Sequence, residues 1–168
     1  MVDSQIEIAD RYGNTIDIEW MDGTPESVIT DAQKLRQVMH NLLDNANKFT
    51  RSGVIRIEAE CLTTHKTGHT LEFRIFDTGI GIHSEFLDRI FNDFESLNSE
   101  YNRSTEGAGL GLSIARRMVQ ALNGKIGARV PKEKEAYSGS KSPLIKAICL
   151  GPGTVSMIQP SKLAPKPH

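Results

Sequence analysis

No apolar run in this chain of 168 residues approaches the roughly 20 residues that a membrane-spanning helix needs. Direct membrane contact is therefore not expected. The opening Met1-Val2-Asp3-Ser4-Gln5 lacks the basic-then-apolar pattern of a signal peptide. Cysteine is scarce: Cys61 and Cys149 stand far apart, without a Cys-x-x-Cys, so free thiols in a reducing compartment are the default. A cytoplasmic location is expected, and it is compatible with a parent protein anchored in a membrane. Excess charge of one sign is missing as well. Lys plus Arg number 20 against 21 Asp plus Glu, which leaves no electrostatic case for nucleic acid. With 38% hydrophobic and 24% charged residues, the chain can bury one core.

What is present begins with an amphipathic helix. Leu35, Val38, Met39, Leu42, Leu43, Ala46 and Phe49 recur at intervals of three and four, the spacing of one helical face. Asn41, Asn45 and Lys48 fall within about 60° of one another on the side turned from that face. Asp31 is placed as the N-cap, and Ser52-Gly53 closes the run. Taken alone, the stripe is compatible with a face turned to water. However, Asn is a mediocre helix former and this helix carries Asn41, Asn45 and Asn47. An amide oxygen is also a hard, neutral ligand suited to a magnesium ion that shares phosphate oxygens.

Two glycine patterns follow. Leu71, Phe73 and Ile75 alternate with Glu72 and Arg74 in a strand that runs into Asp77-Thr78-Gly79-Ile80-Gly81. Alone, that turn is ordinary Asp-Gly chemistry. Its glycines would also let backbone lie against a flat ligand, and an ionised Asp77 accepts the hydrogen bonds that the exocyclic amino group of adenine offers. Farther on, Gly107-Ala108-Gly109-Leu110-Gly111-Leu112 leads into a helical stretch, Leu112 to Leu122. Glycine-rich backbone at a helix N-terminus presents free N–H groups and a favourable dipole to phosphate. No strand leads into these glycines, and no Gly-Lys-Ser/Thr follows them, so neither a dinucleotide fingerprint nor a Walker loop is present. Asn92 to Glu106 is polar and short of apolar anchors, as a lid over a nucleotide would be.

The segment from Leu35 to Thr50 resembles the N box of sensor histidine kinases. Asp77 to Ile82 resembles their first glycine box, Ile90 to Phe94 their F box, and Gly107 to Leu112 their second glycine box. The resemblance covers roughly Val28 to Val130. It implies a catalytic domain that uses ATP and Mg²⁺, with the α/β two-layer sandwich of the gyrase, chaperone and mismatch-repair ATPases: a mixed, mainly antiparallel sheet packed on helices (Bergerat-type). The resemblance also implies residue roles. Asn45 would be the metal ligand, Asn41 would support the metal-phosphate site, and Lys48 would contact phosphate. Asp77 would bind adenine, with Gly79, Gly81 and Ile82 beside it. Gly107, Gly109, Leu110, Gly111 and Leu112 would lie by the phosphates, with Phe91, Phe94 and Arg103 serving the lid. The chain departs from the pattern at Asp93, Ser96 and Ala108.

Within this superfamily, ATPases and serine kinases place a Glu four residues before the metal-binding Asn. Here that position is Asn41, an amide that cannot act as a general base. A neutral imidazole already presents a lone pair and needs less help. The resemblance therefore implies phosphoryl donation to histidine in two-component signalling. The alternatives are an ATPase or serine kinase of the same fold, and a non-catalytic nucleotide-binding or docking module. His40, His65, His69, His83 and His168 all lack the neighbours of an acceptor histidine. A histidine-bearing dimerisation domain elsewhere is thus implied as partner, with a response-regulator receiver downstream, and the chain alone is not expected to phosphorylate itself.

Outside these motifs, Ile6-Glu7-Ile8 and Ile16 to Trp20 read as an early hairpin. Val54 to Cys61, Thr70 to Asp77 and Lys125 to Val130 read as central strands, with Thr63 to Thr70 as a hairpin loop. Residues 1–160 are expected to form the catalytic domain. Within it, 131–150 reads as an insertion and Gly153 to Ile158 as the closing strand; 161–168 reads as a tail or linker.

Overall fold

The computed structural model describes residues 2–25, 28–65, 68–82, 84–87, 89–93, 110–129, 144–150 and 156–157. It opens with helix α1 (Val2–Tyr12) where the first arm of a hairpin was expected. Ile-Glu-Ile is too short to separate a period of two from a period of 3.6. What decides is the buried face: Gln5 and Ala9 are each 1% exposed, and Tyr12 continues their spacing half-buried. Ile6, which a hairpin would have buried, is 43% exposed.

Strand β1 (Thr15–Trp20) pairs in parallel with β3 (Val54–His65), from Thr15 opposite Val54 to Trp20 opposite Ala59. A parallel pair needs a crossover. Here it contains the short strand β2 (Val28–Ile29) and the long helix α2 (Ala32–Phe49). Asp31 caps α2 as expected, its Oδ1 accepting from the amides of Gln33 at 3.1 Å and Lys34 at 3.0 Å. The Lys34 ammonium pairs with the other oxygen and holds the Asp31 carboxyl below its ordinary range.

Strand β4 (Gly68–Asp77) returns antiparallel to β3, from Ile55 opposite Asp77 to His65 opposite Gly68. Most of the expected Thr63–Thr70 loop is therefore strand. A single 3-10 turn (Ser84–Phe86) and helix α3 (Gly111–Ala121) follow. Strands β5 (Lys125–Arg129), β6 (Leu144–Leu150) and β7 (Ser156–Met157) complete the described elements.

The main sheet has the order β1-β3-β4-β6-β5, which corrects one expectation. Leu144–Leu150, within the segment read as an insertion, is a strand of this sheet: it pairs antiparallel with β4 on one side and β5 on the other. Lys125–Arg129 consequently lies at the edge. Because Leu144–Leu150 lies between β4 and β5, β5 is the outer strand. Of the expected closing strand, Ser156–Met157 is described, and it pairs with Val28–Ile29 in a separate small sheet. Residues 130–143 and 158–168 lie outside the described set.

The core forms between one sheet face and the helices. Val38, Leu42, Leu43 and Ala46 of α2 meet Ile55 and Ile75 of the sheet and Ala115 and Val119 of α3, all at 0% exposure. Each fully buried Leu or Ile there contributes about 1.5–3 kcal/mol. The opposite sheet face carries charge: Arg74 pairs with Glu58, Glu60 and Glu72, and Arg56 with Glu19 and Glu58. One apolar and one charged face is the pattern of a sheet covered on a single side.

Candidate functional site

Burying Met39, Leu42, Leu43 and Ala46 fixes the rotation of α2 and leaves Asn41, Asn45 and Lys48 half-buried along its flank. Lys48 Nζ lies 2.9 Å from Asp44 Oδ2, one turn back. Such a partly exposed helix pair contributes about 0.3–0.5 kcal/mol, so an incoming phosphate competes for the ammonium at small cost. Asn41 Oδ1 accepts from Gln37 Nε2 at 3.1 Å. Its Nδ2 is buried and meets no partner among the described residues. A buried donor left unpaired costs about 1–3 kcal/mol, which a hydrogen bond donated to a ligand would recover.

Asp77 ends β4 at 3% exposure, and its register opposite Ile55 places it on the core face of the sheet. Its Oδ1 accepts from the Gly79 amide at 3.2 Å, turning the chain back on itself. Thr78 then stitches this turn to β3, its amide reaching the Val54 carbonyl at 3.1 Å while its Oγ1 accepts from the Val54 amide at 2.9 Å. The Ile80 amide donates to the Phe49 carbonyl at 3.1 Å, joining the turn to the end of α2. Gly79 is required by this approach: a Cβ there would stand 2.3 Å from the Phe49 oxygen. Gly81 follows at φ 70°, in the left-handed region that favours glycine. Ile82 is half-buried beside it.

Helix α3 lies along α2. Leu110 at its start provides no side-chain cap, and its carbonyl accepts from Ser113 Oγ at 3.0 Å and from the Ile114 amide at 2.9 Å. The first-turn amides of α3 are thus free of a capping side chain. Gly111 is exposed, and Leu112 packs on the core. Of the expected lid, Phe91 is buried at 6%, while Asp93 pairs with Arg117 of α3. Phe94, Arg103, Gly107 and Gly109 lie outside the described residues. A cavity of ≈ 320 Å³ lies elsewhere, between α1 and the first half of α2, lined by Gln5, Arg36, Gln37 and His40 among others.

The sequence reading missed a cluster behind the site. Asn47 and Thr50 are 0% exposed, and Asn14 is 3% exposed. Asn14 Nδ2 reaches the Thr50 carbonyl at 3.0 Å and Asn47 Oδ1 at 3.3 Å, while Asn14 Oδ1 accepts from the Gly53 amide at 3.1 Å. Asn47 Nδ2 in turn donates to Gln5 Oε1 at 3.4 Å. The signal was available, because Asn47 stands one turn beyond Leu43 on the apolar arc.

Residues 30–155 match the family described as Histidine kinase-, DNA gyrase B-, and HSP90-like ATPase, and the chain belongs to it. Among curated relatives, the Sensor histidine kinase AruS of Pseudomonas aeruginosa is 44% identical over 95 residues, covering 56% of this chain and 10% of AruS. The Autoinducer 2 sensor kinase/phosphatase LuxQ of Vibrio parahaemolyticus is 39% identical over 113 residues, covering 67% of this chain and 13% of LuxQ. The chain thus spans about a tenth of the length of the curated relatives it matches. Among solved structures, the mycobacterial sensor histidine kinase MprB superposes with TM-score 0.71 at 25% identity, over 94% of this chain and 95% of that one. ShkA, solved in complex with AMPPNP, shares the fold with TM-score 0.69 at 24% identity, over 93% of this chain and 28% of that one.

Proposed function

We propose that the chain binds ATP with Mg²⁺ and donates the γ-phosphoryl group to a histidine on a separate dimerisation domain. The observation that carries this reading is the joining of two chemistries at one place. The helix bearing Asn41, Asn45 and Lys48 is bonded through Phe49 to the turn that holds the buried carboxylate of Asp77. The donor set fits the ligand. An ionised Asp77 is an acceptor suited to the adenine amino group, and the amide oxygen of Asn45 suits a hard cation. Asn41, Lys48 and the first-turn amides of α3 supply hydrogen bonds to phosphate. Gly79, Gly81 and Ile82 border the base, Gly107, Gly109, Leu110, Gly111 and Leu112 border the phosphates, and Phe94 and Arg103 belong to the lid. Mg²⁺, held by Asn45, would supply positive charge to offset that of the phosphates.

The chain's own part is to position the nucleotide and to withhold water chemistry. Asn41 cannot accept a proton from water at neutral pH, whereas an imidazole nucleophile attacks without that help. The sensor histidine kinase relatives support a parent of several domains, with a response-regulator receiver taking the phosphoryl group onward. Among the described residues, no helix is long and apolar enough to cross a membrane. The test is steady-state phosphate release by the chain alone with ATP and Mg²⁺. The expected result is stoichiometric nucleotide binding with negligible turnover. Sustained turnover that disappears in Asn45→Ala would replace the kinase reading by an ATPase.

A further inference from the structure

We infer that Asn14 is a positioning residue for nucleotide recognition, and that Asn47 and Gln5 extend its reach to α1, so that base affinity depends on how α1 is seated. This inference rests on the nucleotide reading above. Each link is a hydrogen bond. Gln5 Oε1 accepts from Asn47 Nδ2 at 3.4 Å, and Asn47 Oδ1 accepts from Asn14 Nδ2 at 3.3 Å. Asn14 then clamps both ends of the turn after α2, donating to the Thr50 carbonyl at 3.0 Å and accepting from the Gly53 amide at 3.1 Å.

That turn is the seat of the Asp77 loop. A Cβ on Gly53 would stand 2.6 Å from Thr50 Cγ2, and one on Gly79 would stand 2.9 Å from Thr50 Oγ1. Phe49 and Val54, which flank the turn, hold the amides of Ile80 and Thr78. A displacement of the Asn14 clamp therefore moves the carbonyl and the side chain against which Gly79 and Ile80 are registered. Packed interiors transmit such shifts instead of absorbing them.

A cluster serving the fold alone would be poorly built. Gln5 is 1% exposed and its Nε2 meets no partner among the described residues, so the amide is only half satisfied where it is buried. Buried amide pairs fix register more than they add stability. What this one registers is α1 against the end of the helix that carries the site. By linkage, a nucleotide held at the Asp77 turn must favour the seated α1 as strongly as the seated α1 favours the nucleotide.

The experiment uses the full chain and two variants, Gln5→Leu and Asn47→Leu, with Mg-ADP as the probe. Affinity is measured well below the thermal midpoint, alongside hydrogen exchange at residues 2–12 and 77–81 with and without ADP. In the wild type, ADP should slow exchange in both segments. In Gln5→Leu, ADP should bind about 5–10-fold more weakly, and its protection of residues 2–12 should be lost. Asn47→Leu should show the same loss of linkage. The inference is overturned if wild-type ADP protects 77–81 but leaves 2–12 unchanged, or if both folded variants bind ADP as the wild type does. If the wild type binds no ADP, the nucleotide reading itself falls.

Discussion

The Ile80 amide donates to the Phe49 carbonyl across 3.1 Å, and that bond fixes where the glycine turn sits relative to the Asn-bearing helix. The two residues are 31 positions apart in sequence and meet because β3 and β4 fold back between them. The amides proposed to hold metal and the carboxylate proposed to hold the base thereby share one frame. Loss of the frame should damage recognition of both ends of a nucleotide at once.

Gly79→Ala tests the frame. Its methyl group would stand 2.3 Å from the Phe49 oxygen, against backbone that cannot swing aside. Forced overpacking of this kind costs about 1–3 kcal/mol. We predict a lower midpoint in urea and a large loss of ADP affinity. Gly111→Ala, at a position with open space around it, should leave the midpoint unchanged or raised.

Asp77→Asn should weaken ADP binding by about 1–3 kcal/mol, the penalty for a buried polar group set against a wrong partner. The carboxylate accepts from the Gly79 amide, and an amide side chain that keeps this bond turns a donor toward the base. Calorimetry is the check. Unchanged ADP affinity would remove Asp77 from base recognition.

Asn45→Ala should abolish phosphoryl transfer while ADP without Mg²⁺ still binds. The side chain lies on the helix flank and outside the core, so thermal stability should change little. Transfer at the wild-type rate would exclude Asn45 as the ligand.

Asn41→Glu should give measurable steady-state hydrolysis in a chain that otherwise has almost none, because a carboxylate can take the proton that an amide cannot. Phosphate release detects it. No rise in hydrolysis would mean that position 41 does not face the attacking water.

The placement of the candidate residues was legible because they lie on regular elements. The stripe at 41, 45 and 48 follows from helical spacing, and Asp77 from the end of an alternating strand. What misled were segments whose local pattern fits two structures. Ile6-Glu7-Ile8 satisfies both periods, and its helix is chosen by burial of Gln5 and Ala9 against distant residues. Leu144–Leu150 reads as foreign material until its two partner strands are known, since antiparallel neighbours carry no signature in the strand itself. The Asn14–Asn47–Gln5 cluster was hidden for another reason. Buried amides look like surface residues in a sequence; Asn47 alone carried a signal, its place on the apolar arc, while Asn14 and Gln5 are revealed by their partners.

The central claim is phosphoryl donation to histidine, and one measurement addresses it most directly. The chain is mixed with histidine-bearing dimerisation domains and γ-labelled ATP with Mg²⁺, and the stability of the label on the acceptor is determined. The account predicts label on an added domain that is labile in acid and stable in base, absent with Asn45→Ala, and absent from the chain incubated alone. Acid-stable label, or label on the chain itself without an acceptor, would contradict it.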